Sequence, residues 1–265
     1  MHAFKSMTSM AKKSSEVMAN DKIQAMREGG QILGRLLADL KEYVQPGMTG
    51  KEIDAWVRAE IVKRGAGVAY DMLDEEFPGA ICISINDQLV HGAPKDEPLE
   101  EGDKVSFDLD IYYKGYFTDS AFTMLVGGKG SPAIKKMISV TESSMWEGIE
   151  QVKPGARIGE IGCAVEKVLR AGKLGVIENY VGHGIGKEMH MQPEVPNYGR
   201  KGTGYELKVG DTICIEPMSC LGKPANYVDE DDGWSVKMKD GSTGCHCEHT
   251  VLVTEDGYEV LTLPK

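Results

Sequence analysis

The sequence lacks any apolar run long enough to cross a bilayer, and it has no excess of basic residues. Its formal net charge is −11, from 30 Lys and Arg against 41 Asp and Glu, which argues against nucleic acid or an anionic membrane as the main binding partner. The first 20 residues contain lysines but no continuous apolar segment, so we do not expect a secretory signal there. The six cysteines are scattered, and we therefore expect reduced thiols and a cytoplasmic protein.

What is present is enough for a sizeable core, with 265 residues of which 41% are apolar and 27% charged. We expect residues 1–20 to form a mobile N-terminal arm and residues 21–265 to form one domain. Asp21 with Gln24 resembles a capping box that would open the first helix, and Thr49 with Glu52 would open the second. Ser131-Pro132 suits the cap and the first position of a third helix.

The stretch from Leu99 to Phe122 predicts two strands joined by a two-residue turn at Lys114-Gly115. Counting outward from this turn places Asp110 opposite Asp119, and Asp108 shares their face. Like charges opposed on a sheet destabilise it, so a surface hairpin avoids this arrangement. A strand that holds a divalent cation tolerates it. A solvated acidic hairpin is the alternative.

Two pairs of segments repeat at one offset of 108 residues: Val44-Gln-Pro-Gly with Val152-Lys-Pro-Gly, and Leu99-Glu-Glu-Gly-Asp with Leu207-Lys-Val-Gly-Asp. The same offset places Asp108 on Glu216. A duplicated fold with pseudo-twofold symmetry would bring these two carboxylates together at its centre. Chance similarity between helix-turn-helix segments is the alternative, because Pro-Gly is common after a helix.

A second, looser repeat concerns two histidines. His91-Gly-Ala-Pro resembles His190-Met-Gln-Pro, which predicts two histidines that flank the centre from opposite sides. A third histidine, His183, lies among glycines that allow close backbone approach. A phosphate-binding loop is disfavoured there, since no strand clearly precedes it and no Walker-type context follows.

The candidate metal ligands are four carboxylates and one imidazole: Asp108, Asp119, His183, Glu216 and Glu248. This set is too oxygen-rich for a structural zinc site and too anionic for one ion, so it predicts two divalent ions. Mn²⁺, Fe²⁺ or Co²⁺ is favoured, with Zn²⁺ as an alternative. Two such ions can share a water, lower its pKa and stabilise a tetrahedral intermediate. The set predicts a metal-dependent hydrolase but does not distinguish amides from phosphate esters. A zinc site at Cys245-His246-Cys247 is a weaker alternative, because it has no second half at finger spacing.

Together these motifs resemble those of the bacterial type I methionine aminopeptidases. The resemblance covers about Asp21 to the C-terminus and rests on His91-Gly92, Asp108 with Asp119, Gly182 to Gly186, Ile215-Glu-Pro-Met and Glu248-His-Thr. It implies an α+β pita-bread (creatinase/aminopeptidase) fold, with an antiparallel sheet inside, helices outside and two pseudo-symmetric halves at about 21–126 and 127–265. It also implies removal of the initiator methionine from nascent polypeptides, by a metal-bridged water that attacks the first peptide bond.

The resemblance further implies a role for each matching position. The five candidate ligands would hold the two ions, with Asp119 and Glu248 as bridges. Glu216 would also handle the proton of the attacking water, and His91 and His190 would bind the scissile peptide and its intermediate.

The same resemblance implies a methionine pocket lined by Phe77, Cys82 and Trp234. Met189 occupies a pocket position where the family usually has an aromatic residue. Asp74 falls where a pocket tyrosine is common, and His246 stands where a small polar residue such as glutamine is expected. These departures bear on side-chain preference and rate, and not on the metal site.

Three other functions compete with this one. A proline-specific peptidase of the same fold would share the five ligands, although such enzymes usually carry a large N-terminal domain. A non-catalytic binding module would usually have lost ligands, and a metallophosphatase is disfavoured because no arginine lies near the site motifs. Between His190 and Glu216 there is no room for the type II insertion, so we expect a type I protein. Eukaryotic cytosolic type I proteins often add an N-terminal zinc-binding region that this sequence does not show, so we expect a bacterial or organellar one. We expect it to act as a monomer, on nascent chains at the ribosome.

Overall fold

The computed structural model describes the backbone of residues 2–73 and 76–265, and the side chains of residues 20–73 and 76–265. Its helices are α1 His2–Tyr43, α2 Gly50–Lys63, α3 Pro132–Ile149 and α4 Ile158–Ala171, with 3₁₀ turns at Tyr70–Met72 and Val126–Gly128. Its strands are β1 Gly67–Val68, β2 Cys82–Ile85, β3 Gln88–Val90, β4 Lys104–Tyr113, β5 Tyr116–Leu125, β6 Gly175–Val176, β7 Gly182–Gly184, β8 Met191–Val195, β9 Thr212–Ile215, β10 Met218–Cys220, β11 Asn226–Val228, β12 Val236–Met238, β13 Gly244–His246, β14 Glu248–Thr254 and β15 Gly257–Val260.

The first helix is longer than the sequence predicts. It begins at His2, so the predicted start at a capping box on Asp21 is wrong. Gln24 instead donates a hydrogen bond to the Glu28 carboxylate one turn further on, at 2.8 Å, as residues inside a helix do. The backbone of residues 2–20 belongs to this helix, while the side chains of residues 2–19, on which the prediction of a mobile arm also depends, lie outside the described part.

The other helix starts are set by local chemistry as predicted. The Thr49 hydroxyl accepts from the Glu52 N–H at 3.2 Å, and the Glu52 carboxylate accepts from the Thr49 N–H at 2.9 Å. Ser131 caps α3 through its side chain, with Pro132 at the first helical position. These caps fix where the chain turns from helix toward the sheet.

The central sheet has nine strands, in the order β1-β4-β5-β14-β9-β7-β8, with β2 added to β4 and β15 added to β14. Its longest pair is the predicted hairpin, in which Asp110 lies opposite Asp119. Lys114 and Gly115 form the turn with φ of 49° and 92°, which matches the twist of the two strands. All pairings in this sheet are antiparallel.

The predicted offset reappears in the elements. Helix α4 lies 108 residues after α2 at both ends, and β6 lies 108 residues after β1. An isolated bridge between Thr49 and Pro98 has its counterpart, 108 residues later, between Arg157 and Glu206. Each set of elements packs on its own apolar cluster, one including Ile53 and the other Ile161. The sheet therefore joins two similar halves with helices on the outside. No helix among the described residues is long and apolar enough to span a membrane.

Candidate metal centre

The hairpin β4–β5 supplies three carboxylates to the middle of the sheet. Oxygens of Asp108, Asp110 and Asp119 lie within 4.8 Å of one another. Asp110 and Asp119 are each 4% exposed, so water does not solvate this concentration of charge. The hairpin is therefore not a solvated acidic surface, because its charged face points into the molecule.

The second half of the chain adds Glu216, Glu248 and His183. Strand β14 pairs with β5 through Glu248 and Ala121, and the Glu216 side chain follows directly after β9. The His183 Nε2 atom lies 3.7 Å from the Asp119 carboxylate and 3.6 Å from the Glu216 carboxylate. The structure thus brings all five candidate ligands into one buried cluster.

Several polar atoms of this cluster are buried without a hydrogen-bond partner among the described residues: Asp108 Oδ1, Asp110 Oδ1, Asp119 Oδ1, Glu248 Oε1 and both ring nitrogens of His246. Leaving one such group unpaired costs about 1–3 kcal/mol, and more when it is charged. So many unpaired acceptors at one point are expected where cations bind. Hard oxygen donors with one or two imidazoles fit divalent ions of the Mn²⁺, Fe²⁺ or Zn²⁺ kind.

The protonation of the carboxylates reflects the same crowding. Burial raises the pKa of Asp119, Glu216 and Glu248 well above the usual range, and neighbouring carboxylates raise the pKa of Asp119 and Glu248 further. A divalent cation reverses this effect, since it favours the charged form of each ligand. The metal-free centre therefore holds protons that cations would displace.

His183 presents its free nitrogen to the cluster. Its Nδ1 donates to the Gly184 carbonyl at 3.0 Å, which leaves the Nε2 lone pair facing the carboxylates. Burial, with a smaller contribution from His190, lowers the pKa of His183 to about 3. A neutral imidazole fixed in this tautomer is the form in which histidine binds metal ions.

The two flanking histidines also lie near the centre. The His190 ring is 4.5 Å from the His183 ring, and the His91 ring is 5.9 Å from that of Tyr180. His91 has a left-handed φ of 57°, an uncommon conformation for a residue with a Cβ atom. Burial lowers the pKa of His91 to about 4, with smaller contributions from His246 and His190.

The predicted pocket residues form an aromatic and sulfur-containing group beside the carboxylates. The Phe77 ring lies 5.4 Å from that of Trp234, edge to face, and 4.5 Å from that of Tyr70. The Tyr70 hydroxyl is hydrogen-bonded to the Cys82 thiol at 3.2 Å. Met189 is buried in an apolar cluster against which Tyr70 also packs.

Tyr70 was not predicted to belong to this pocket. It lies in the 3₁₀ turn Tyr70–Met72, just after β1. Asp74, predicted at the position of a pocket tyrosine, lies outside the described residues. A tyrosine therefore reaches the pocket, but from a position four residues earlier in the chain.

Three further residues of the cluster were not among the five predicted ligands, although Asp110 was placed from sequence on the same face of the hairpin as Asp108 and Asp119. Each lies two positions from a predicted ligand along extended chain, and therefore on the same face: Asp110 beside Asp108, Cys214 beside Glu216 and His246 beside Glu248. The His246 Nε2 atom lies 3.2 Å from the Glu216 carboxylate. The Cys214 thiol shares a group of 4.8 Å extent with Asp119, His183 and Glu248.

Comparison with known proteins agrees with this geometry. The model of metallopeptidase family M24 matches residues 24–255. A methionine aminopeptidase of Mycoplasma capricolum is 40% identical over 242 residues, which cover 91% of this chain and 96% of that protein. The crystal structure of a methionine aminopeptidase from Rickettsia prowazekii superposes with a TM-score of 0.88 at 36% identity, covering 92% of this chain and 97% of that one.

A more distant structure, the prolidase from Pyrococcus horikoshii, shares the fold alone, with a TM-score of 0.71 at 23% identity and coverage of 92% of this chain and 62% of that one. The predicted α+β pita-bread fold is thereby confirmed. The matches also confirm that the chain is an enzyme of the metallopeptidase class. The chain belongs to metallopeptidase family M24, among the methionine aminopeptidases.

Proposed function

We propose that this metallopeptidase removes the N-terminal initiator methionine from nascent polypeptides. The observation that carries the proposal is the direct contact between metal centre and pocket. Cys82 lies opposite Asp108 in the pairing of β2 with β4, so a residue of the pocket wall is the cross-strand neighbour of a proposed metal ligand. A thioether side chain held by Phe77, Trp234 and Tyr70 would place its own peptide bond at the carboxylates.

Asp108, Asp119, His183, Glu216 and Glu248 would hold two divalent ions, with Asp119 and Glu248 shared between them. When bound, such ions lower the pKa of a water molecule and neutralise the negative charge that develops on the peptide oxygen. The proposal is that both positions are occupied, by Mn²⁺, Fe²⁺ or Co²⁺ or alternatively by Zn²⁺.

The chain's own residues would do the remaining work. Glu216 would take the proton of the attacking water and pass it to the leaving amine. His91 and His190 would donate hydrogen bonds to the peptide group, because an imidazole ring carries an N–H. Glu216 is 9% exposed, so little bulk water competes for its carboxylate.

We also propose that residues 21–265 form one catalytic domain built from the two half-repeats. The enzyme would act as a monomer in the cytoplasm, on chains that emerge from the ribosome. The net charge of −11 supports a peptide rather than a nucleic acid as substrate.

The test uses metal-stripped protein refilled with Mn²⁺, Co²⁺, Fe²⁺ or Zn²⁺ in turn. Each form is incubated with Met-Ala-Ser, with matched peptides that begin with Leu or Lys, and with an X-Pro peptide. Metal-dependent release of methionine alone is the expected result. Cleavage at proline would move the chain to the proline-specific enzymes, and no cleavage by any form would favour a binding module.

A further inference from the structure

Asp110 has no place in the function proposed above, yet it is one of the most enclosed carboxylates in the molecule. Its side chain is 4% exposed, and it lies directly opposite Asp119 on the hairpin. Asp108, by contrast, lies opposite Ala121 and reaches Asp119 only diagonally. Asp110 is thus the nearest cross-strand neighbour of a residue proposed to bridge the two ions.

The side chain that shares a hydrogen bond with Asp110 is itself an acid, Asp119, so it adds no positive charge. Within the described part of the chain, no lysine or arginine forms an ion pair with Asp108, Asp110 or Asp119. Its Oδ1 atom is buried without a hydrogen-bond partner. A buried carboxylate with an unpaired oxygen must either keep a proton or bind a cation.

The neighbourhood favours a cation. The oxygens of Asp108, Asp110 and Asp119 lie within 4.8 Å of one another, close enough to surround one ion. The remaining members of the centre differ in kind, because Asp119 and Glu248 also form a group with the His183 imidazole and the Cys214 thiol. The group of three aspartates therefore offers oxygen alone, with His246 Nδ1 outside it at 4.0 Å from Asp108, and the other group adds nitrogen and sulfur.

We propose that Asp110 is a sixth ligand of the metal centre, and that with Asp108 and Asp119 it forms an all-oxygen position that prefers a hard ion such as Mn²⁺ to Zn²⁺. The position beside His183 prefers the softer ion, since imidazole suits Zn²⁺ and carboxylates suit Mn²⁺. The two positions would then select different metals from a mixture. This inference rests on the metal centre of the proposed function.

The substitution Asp110→Asn separates the two explanations. Asparagine has the shape of a protonated aspartic acid, so it would replace a neutral Asp110 without loss, but it cannot supply an anionic ligand. Asp103→Asn is the matched control, because it removes the same charge from the chain just before β4 and outside the cluster. Asp108→Asn serves as the positive control for loss of a ligand.

Mn²⁺ binding to the metal-stripped proteins is followed by electron paramagnetic resonance, and Zn²⁺ binding by isothermal titration calorimetry. We expect Asp110→Asn to weaken one Mn²⁺ equivalent by about 10- to 100-fold, as loss of an ordered partner at a metal site does. The affinity of Asp110→Asn for the more tightly bound Zn²⁺ should stay within about 3-fold of that of the unmodified protein, because the substitution does not touch the His183 side. Both metal affinities of Asp103→Asn should also stay within about 3-fold. Unchanged Mn²⁺ affinity in Asp110→Asn would overturn the inference, and Asp110 would then be a protonated residue that does not bind metal.

Two further measurements distinguish failure of this inference from failure of the proposed function and from misfolding of the variant. If the unmodified protein, folded by circular dichroism, binds neither Mn²⁺ nor Zn²⁺, the metal centre itself and the proposed function fail together. If Asp110→Asn does not fold, the unmodified protein is loaded with one equivalent of each metal. A mixed species with one Mn²⁺ and one Zn²⁺ per chain supports the inference, and a random distribution of the two metals overturns it.

Discussion

Glu216 is the residue on which the chemistry proposed here most depends. It is nearly buried, and its carboxylate lies 3.2 Å from His246 Nε2 and 3.6 Å from His183 Nε2. We expect Glu216→Gln to lower kcat on Met-Ala-Ser by about 10²- to 10⁴-fold, because the amide cannot carry a proton from water to the leaving amine. The assay is run at saturating metal, with metal content and circular dichroism measured alongside. A kcat within about 3-fold of the original would contradict the role of Glu216 as proton carrier.

The pocket makes a second prediction at the same scale. Phe77 contacts both Trp234 and Tyr70, so Phe77→Ala removes the ring that joins the two. We expect kcat/KM for methionine peptides to fall by about 10- to 100-fold, the value of roughly 1.5–3 kcal/mol of apolar contact. Trp56→Ala is the control, because it breaks an aromatic pair with Tyr43 that packs elsewhere, in the core of the first half. A larger loss of kcat/KM in the control than in Phe77→Ala would show that the effect is structural.

At the scale of elements, the features predicted correctly from sequence are those fixed by neighbours in the chain. The turn at Lys114-Gly115 and the caps at Thr49 and Ser131 depend on residues within four positions, and the structure has each of them. The predicted start of α1 was wrong because a cap-like pair can also lie inside a helix, where Gln24 donates to the Glu28 side chain one turn further on. The five candidate ligands were predicted through motifs, whereas the approach of His246 to Glu216 depends on separate strands meeting in space.

Helix α1 packs so closely against the C-terminal residues of the chain that one added methyl group should destabilise the protein. A Cβ atom on Gly30 would lie 2.5 Å from the Leu261 carbonyl oxygen, which belongs to backbone and cannot easily move. Alanine favours a helix by about 1 kcal/mol over glycine, but overpacking costs about 1–3 kcal/mol, so we expect Gly30→Ala to destabilise. Gly29→Ala is the matched control, because its Cβ would meet side-chain atoms at 3.3 Å or more. Thermal unfolding should rank Gly30→Ala clearly below Gly29→Ala, and the reverse order would contradict the close contact.

At the scale of the whole molecule, the crowded carboxylates should make stability depend on pH when metal is absent. The pKa values of Asp110, Asp119, Glu216 and Glu248 are raised in the folded protein, mainly by burial, so the folded state holds protons that the unfolded state releases. Stability from these groups is present at low pH and is lost as pH rises, by up to about 1.4 kcal/mol per proton and pH unit.

Histidines act in the opposite direction. The pKa values of His91 and His183 are lowered to about 4 and about 3, so the unfolded state takes up their protons below about pH 6.5 and stability falls there. Above that pH, Cys245 and Lys104, whose pKa values are lowered to about 7 and about 8, also oppose the carboxylates. The gain in Tm on adding Mn²⁺ reports on the metal centre itself, and we expect this gain to grow as pH rises, since binding releases the held protons. Differential scanning calorimetry measures the gain, and a gain that shrinks as pH rises would contradict the crowding.

The repeat of 108 residues also has a consequence for how such a centre arises. The first half contributes Asp108 and Asp119, and the second contributes His183, Glu216 and Glu248, so neither half forms the cluster alone. An ancestor with one copy of the repeat would have assembled such a cluster between two identical subunits, with the forerunner of Asp108 and Glu216 present once in each. Fusion of those subunits into one chain would have allowed the two copies to diverge, so that one half could acquire residues, such as Asp110, that the other lacks.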